Sequence, residues 1–135
     1  FVSVYEAYKK NGPNVLGVEA LQGDDGCTGV KVNTADGYAD YLFSATDIQA
    51  HHPSKRVSFC GRLGLIREKE GQIQLMYLGC GRSLKKGNFV LESDHDVYAA
   101  IYMQHGVWYY SATGPVRVKI GKETKKLNEG YNQKL

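Results

Sequence analysis

The sequence predicts an all-β fold, an antiparallel β-sandwich of about nine or ten short strands. Three observations carry this. Apolar side chains recur with period two, and no stretch shows the 3.6-residue period of an amphipathic helix. Turn signals break the chain at short intervals: Asp24-Asp25-Gly26, Asp36-Gly37, Glu70-Gly71, Lys86-Gly87-Asn88, His105-Gly106 and Gly114-Pro115. Ten Tyr, four Phe and one Trp stand beside 16 Gly and three Pro, a composition of strands joined by tight turns.

Taken in order, Phe1-Val2-Ser3-Val4-Tyr5-Glu6-Ala7-Tyr8 already reads as strand, with no initiator Met, signal peptide or capping turn ahead of it. A strand needs a partner, so the expectation is a piece of a larger polypeptide. Val30 and Val32 flank Lys31, and Ala39, Tyr41 and Phe43 alternate with Asp40, Leu42 and Ser44. Residues 46–52 are expected to form at most a brief helical turn, ended by Pro53. Val57, Phe59, Gly61, Leu63 and Leu65 are assigned one face of a strand, with Ser58, Cys60 and Arg62 on the other. Ile73, Leu75 and Tyr77 alternate with Gln72, Gln74 and Met76. Both faces of residues 97–103 are apolar or aromatic, which predicts a central strand covered on each side. Val116-Arg117-Val118-Lys119-Ile120 has one dry and one wet face.

A chain of 135 residues suits one domain, which buries roughly two-thirds of its unfolded surface. The sandwich is placed at residues 1–121, followed at 122–135 by a polar, Lys-rich tail that Leu127 and Tyr131 are expected to pin down. No apolar run approaches the roughly 20 residues of a membrane-spanning helix, and no lipidation motif is present, so no membrane partner is expected. Net charge is +3, unevenly spread. Residues 1–54 carry three Lys against seven acids, and residues 55–91 carry eight Lys/Arg against Glu68 and Glu70. The positive middle third suits a polyanion, although cations on strand edges also serve solubility and block edge pairing. The basic residues lack the aromatic interleaving of a single-strand binder, so nucleic acid is not expected.

Candidate chemistry is sparse. Cys27, Cys60 and Cys80 make no disulfide framework and no zinc-type spacing; Cys60 and Cys80 fall nearly opposite in a hairpin, where a bridge is sterically conceivable, but reduced thiols are the expectation. Adjacent His51 and His52 point apart in an extended segment, which disfavours one shared metal. His95, between Asp94 and Asp96, is placed at the start of a strand, and His105 in a hairpin turn. No Gly-x-Ser-x-Gly elbow or Cys/His pair supports nucleophilic catalysis. Gly79-Cys80-Gly81-Arg82-Ser83 superficially resembles a phosphate loop, yet no helix follows to supply an N-terminal dipole, and a bulge is the better account. No cofactor, metal or catalytic residue is assigned. The contact candidates for a glycan are Arg82, Lys85 and Lys86, through charge-assisted hydrogen bonds to sulfate or carboxylate, and Trp108 and Tyr110, through ring stacking. Trp108 and Tyr110 share one strand face and Tyr109 takes the other, so at least one of these faces is expected to be core.

Several segments together resemble the C-terminal β-rich region of heparinase II/III-type polysaccharide lyases and related oligo-alginate lyases. They are the opening run from Phe1 to Lys9 (with Ala7 where the family pattern has Pro), Ala39-Asp40-Tyr41-Leu42-Phe43-Ser44, Gly61-Arg62-Leu63-Gly64-Leu65-Ile66-Arg67, and the stretch from Gly106-Val107-Trp108-Tyr109-Tyr110-Ser111 to Pro115-Val116-Arg117-Val118. The resemblance implies a parent enzyme with a helical toroid followed by stacked antiparallel sheets. Such enzymes cleave uronic-acid-containing polysaccharides by β-elimination, with Tyr and His moving protons. It also implies a periplasmic or extracellular setting. The catalytic groups of such enzymes lie mainly ahead of the matching region, so none is transferred to this chain.

The leading expectation is therefore the C-terminal β-sandwich portion of a polysaccharide lyase, inactive alone, with an acidic polysaccharide and the N-terminal domains of the same polypeptide as partners. The alternatives are a stand-alone carbohydrate-binding or adhesion module using Trp108 and nearby Tyr, and a structural assembly β-domain. Loss of sugar binding in a folded Trp108→Ala variant would favour the module; sequence ahead of Phe1 would discriminate all three.

Overall fold

The computed structural model describes Val4, Gly12, residues 14–21, 26–48 and 57–135, and the backbone of His51–His52. The chain is all-β: β1 (Val15–Leu21), β2 (Cys27–Thr34), β3 (Tyr38–Ala45), β4 (His51–His52), β5 (Val57–Lys69), β6 (Gln72–Lys86), β7 (Phe89–Gln104), β8 (Val107–Ala112), β9 (Val116–Ile120), β10 (Glu123–Leu127) and β11 (Gly130–Lys134). Among the described residues there is no helix, hence none long and apolar enough to cross a membrane. The opening strand expected over residues 1–8 lies outside the described residues apart from Val4.

All eleven strands belong to one antiparallel sheet that doubles over into a sandwich. Three long strands, β5, β6 and β7, run through both layers. Their later, earlier and later halves respectively join β1, β2, β3, β8 and β11 in the first layer. Their other halves join β4, β9 and β10 in the second. The hairpins between them are tight. Glu70-Gly71 and His105-Gly106 each place two residues at positive φ (51° and 78°, 50° and 77°), as a two-residue type I′ turn requires.

The fold-over point is visible in the register. Pairing of β5 with β6 shifts between Cys60 and Gly61, and pairing of β6 with β7 shifts on both sides of Gly81. Here the two backbones nearly touch. A Cβ on Gly61 would lie 2.7 Å from the Cα of Gly81, and one on Gly81 would lie 2.8 Å from both the Cα of Gly61 and the carbonyl oxygen of Cys60. Only glycine admits this approach. Cys80 between them sits at φ 49°, a left-handed position unusual for a residue with a side chain. Gly79-Cys80-Gly81 is thus a bulge that bends a strand.

The core lies between the layers. Phe59, Ile66, Met76, Leu78, Leu84, Leu91 and Ile101 are fully buried, each contributing about 1.5–3 kcal/mol of apolar burial. Phe43 stacks on Phe59 at 5.4 Å, and Phe89 of the second layer meets Trp108 of the first at 5.9 Å.

Two expectations change for one reason. A bulge adds one residue to a strand, and with a side-chain period of two that swaps its faces. Val57 and Phe59 face inward as expected, but beyond Gly61 the inward residues are Gly64 and Ile66, and Leu63 is 51% exposed. A second shift between Arg67 and Glu68 does the same to the partner strand: Ile73 and Met76 are buried, while Leu75 and Tyr77 pair with outward-facing Arg67 and Leu65. β7 is central, but residues 97–103 are covered on one side. Val97, Ala99 and Ile101 are buried, whereas Tyr98 is 53% exposed.

Local differences follow. In place of a helical turn over residues 46–52, residues 46–48 form bends and a turn and His51–His52 pairs with Cys60 and Phe59 as β4; residues 49–50 lie outside the described set. His95 lies within β7 rather than at its start. Residues 122–135 contain β10 and β11, paired to β9 and β8; Leu127 packs on the core, while Tyr131 is 83% exposed. The cysteines are free thiols. Cys60 pairs with Ser83, not Cys80, and its thiol donates to the Ile48 carbonyl at 3.7 Å.

Candidate functional site

The five residues singled out for glycan contact do not converge. Arg82, beside the bulge, donates from Nε to Asp96 Oδ1 at 2.8 Å. Lys85 projects from the second layer and pairs with Glu92 at 2.8 Å. Lys86, at the end of β6, turns between the layers and reaches Glu68 Oε2 at 2.6 Å, with its side chain only 17% exposed. Trp108 and Tyr110 face inward and pack on the core. Tyr109 faces outward, where it stacks on Tyr102 at 6.0 Å.

Lys86 belongs to a cross-layer link. Its ammonium stands 3.7 Å from the centroid of the Tyr41 ring, and the Tyr41 hydroxyl donates to Glu68 Oε1 at 2.9 Å. β3, β5 and β6 thereby contribute one group each to a half-buried Tyr–Glu–Lys cluster. Burial, and then the hydrogen bond to Glu68, push the Tyr41 phenol above its ordinary pKa. A phenol held neutral in this way joins two layers and is a poor proton acceptor. Nearby, Arg67 grips Asp40 with two hydrogen bonds of 2.7 Å and stacks on Tyr38, tying β5 to β3 on the outer face. Among the described residues no group of three His, Cys, Asp or Glu is placed to hold a metal ion.

Sequence reasoning missed a groove on the outer face of the first layer. It has a volume of about 660 Å³ and is lined by Tyr77, Tyr98, Ser111, Thr113 and Tyr131, with Ala99, Ala112 and Gly130 beside them. Thr113 holds the Tyr98 backbone at both ends: its Oγ1 accepts from the Tyr98 N–H at 3.1 Å and donates to the Tyr98 carbonyl at 3.4 Å. Tyr98 and Tyr131 are both exposed there. The signal was available in Val97-Tyr98-Ala99-Ala100-Ile101-Tyr102, where strict alternation puts the tyrosines opposite the core residues.

Next to this groove the outer face is apolar. Directly paired neighbours Ala20, Val30, Leu42, Leu65, Tyr77 and Ala100 form one row across six strands. A depression of about 550 Å³ lies along it, with Val4 and Leu63 among its walls. Leu42 and Val4 are each 40% exposed. Contiguous apolar surface of this kind marks an interaction face.

Comparison with known proteins places the chain in a family. The family described as "Endo-acting ulvan lyase C-terminal domain" matches residues 15–103. An endo-acting ulvan lyase of Formosa agariphila is 33% identical over 100 residues, covering 70% of this chain and 12% of that protein. The match supports the C-terminal domain of a polysaccharide lyase without singling out the heparinase II/III type. No solved structure matches the chain.

Proposed function

Because the chain belongs to the endo-acting ulvan lyase C-terminal domain family, we propose that it is the accessory β-sandwich of a lyase that cleaves a uronic-acid-containing glycan such as ulvan by β-elimination. In this reading the domain supports the catalytic region of the same polypeptide and performs no chemistry itself. One observation carries it: the six-strand apolar row on the outer face of the first layer, with Leu42 and Leu63 exposed. Water disfavours such a face, and a preceding domain packed against it removes the penalty. The 12% share of the relative's length leaves ample chain for a catalytic region in the parent. A helical toroid with stacked sheets, and a periplasmic or extracellular setting, belong to the same proposal.

The test compares this chain with a longer parent, following the ultraviolet absorbance of the unsaturated uronate product. The expected result is turnover by the parent and none by the 135 residues. In the parent, Leu42→Lys with Leu63→Lys should leave kcat measurable while loosening the domain, seen as faster proteolysis at its junction. Turnover by the short chain alone would refute the accessory role.

A second reading, a carbohydrate-binding module, is favoured by the groove between Tyr98 and Tyr131. CH faces of a sugar pack well on exposed phenol rings. It predicts that Tyr98→Ala abolishes glycan retention with no loss of thermal stability.

A further inference from the structure

The outer face of the second layer has a different chemistry from that of the first. Arg117 on β9 and Lys126 on β10 occupy directly opposed positions. Lys119 lies two residues beyond Arg117 on the same side of β9, in one cross-strand row with Val90 and Lys85. Lys85 and Lys119 are thus two strand spacings apart, about 9.6 Å. Like charges directly opposite each other destabilise a sheet, so the Arg117–Lys126 arrangement is not explained by folding.

The acids nearby do not neutralise this face. Glu92, directly opposite Arg117, is shared between Lys85 at 2.8 Å and Arg117 at 2.7 Å. Asp94 borders the shallow groove that also holds Arg117 and Lys126. Asp96 is engaged by Arg82. Among the described residues Lys119 and Lys126 have no ion-pair partner. Four cations therefore stand over one shared carboxylate within the rows, with Asp94 at their edge. The same rows present the hydroxyls of Ser58, Ser83 and Thr124, and among the described residues no Phe, Tyr or Trp ring.

We propose that this face is a binding site for an anionic polysaccharide, whose sulfate or carboxylate groups lie over Arg117, Lys119 and Lys126 while its sugar hydroxyls meet Ser83 and Thr124. An oxyanion between Arg117 and Lys126 converts their repulsion into two charge-assisted hydrogen bonds. A flat sheet surface suits an extended chain, and the lack of stacking rings disfavours single-stranded nucleic acid. The site rests on charge placement and not on the lyase reading: glycan binding with an inactive parent would remove the latter alone.

The experiment is affinity electrophoresis of the 135-residue chain in gels containing dextran sulfate, polygalacturonate, neutral dextran or single-stranded DNA, at low and high salt. Retention is expected in one or both acidic glycans, weakening with salt, and absent in neutral dextran. Retention by dextran sulfate alone identifies sulfate as the group bound, and by polygalacturonate alone, carboxylate. Lys119→Glu with Lys126→Glu should weaken binding at least about tenfold, or 1.4 kcal/mol. Lys134→Glu, the same kind of change on the opposite layer, should alter it less than about twofold. The Lys126→Glu change sets an acid opposite Arg117, which favours folding; a thermal melt checks this, and Lys119→Gln with Lys126→Gln reads the same contacts if the reversal unfolds. Equal loss in the Lys134 variant, no loss in either double variant, equal retention by neutral dextran, or retention by DNA alone would overturn the proposal.

Discussion

Replacing Gly81 by Ala tests the point at which one sheet becomes two layers. The added methyl would lie 2.6 Å from Leu78 Cδ1, 2.8 Å from the Cys60 carbonyl oxygen and 2.8 Å from the Gly61 Cα. Leu78 is fully buried and the other two atoms are backbone, so none can step aside cheaply. Overpacking of this kind costs about 1–3 kcal/mol. Gly81 is not at positive φ, so Ala also gains about 0.4–1 kcal/mol through the unfolded chain. Taking the middle of each range, the net expectation is a loss of about 1.3 kcal/mol. Urea unfolding followed by tryptophan fluorescence should show the midpoint fall with little change in slope. Gly17→Ala is the control, since a Cβ there meets nothing within 4 Å and Gly17 is not at positive φ; it should be neutral or slightly stabilising. A Gly81→Ala protein as stable as the parent would refute the close-crossing argument, because the clash is the sole source of the predicted loss.

Trp108→Ala should lose about 2–4 kcal/mol, below the full-burial range because the ring is only half-buried against Phe89 and the core; thermal melting reads this, and an unchanged melt would mean that the ring serves the surface. Tyr41 supplies a pH signature. Its phenol pKa is raised by burial and by the hydrogen bond to Glu68, so the folded state holds that proton after the unfolded chain has lost it near pH 10. Stability contributed by the neutral phenol is therefore complete below pH 10 and declines as pH rises from there toward the folded-state pKa. Tyr41→Phe should flatten that alkaline decline, measured by urea titrations across the range.

The residues carried the fold class unaided. Alternation in Val116-Arg117-Val118-Lys119-Ile120 and the Glu70-Gly71 and His105-Gly106 turns express local preferences that need no distant partner, and each has its expected form. The inward placement of Tyr41 and Phe43 was equally legible. The face of Leu63 and Leu65 was not. Period two tells which residues lie together, but a single register shift reverses which side is inside, and the shift beside Gly61 lies where its backbone meets that of Gly81, twenty residues away in the chain. The surfaces follow the same division. That Lys and Arg cluster, and that Trp108 and Tyr109 face oppositely, could be read from order alone. Which cations share a face was decided by pairing: Arg117 meets Lys126 only across β9 and β10, while Lys86 is withdrawn to Glu68 between the layers. Charge and hydropathy belong to residues, whereas the side on which they act belongs to the register of strands far apart in sequence.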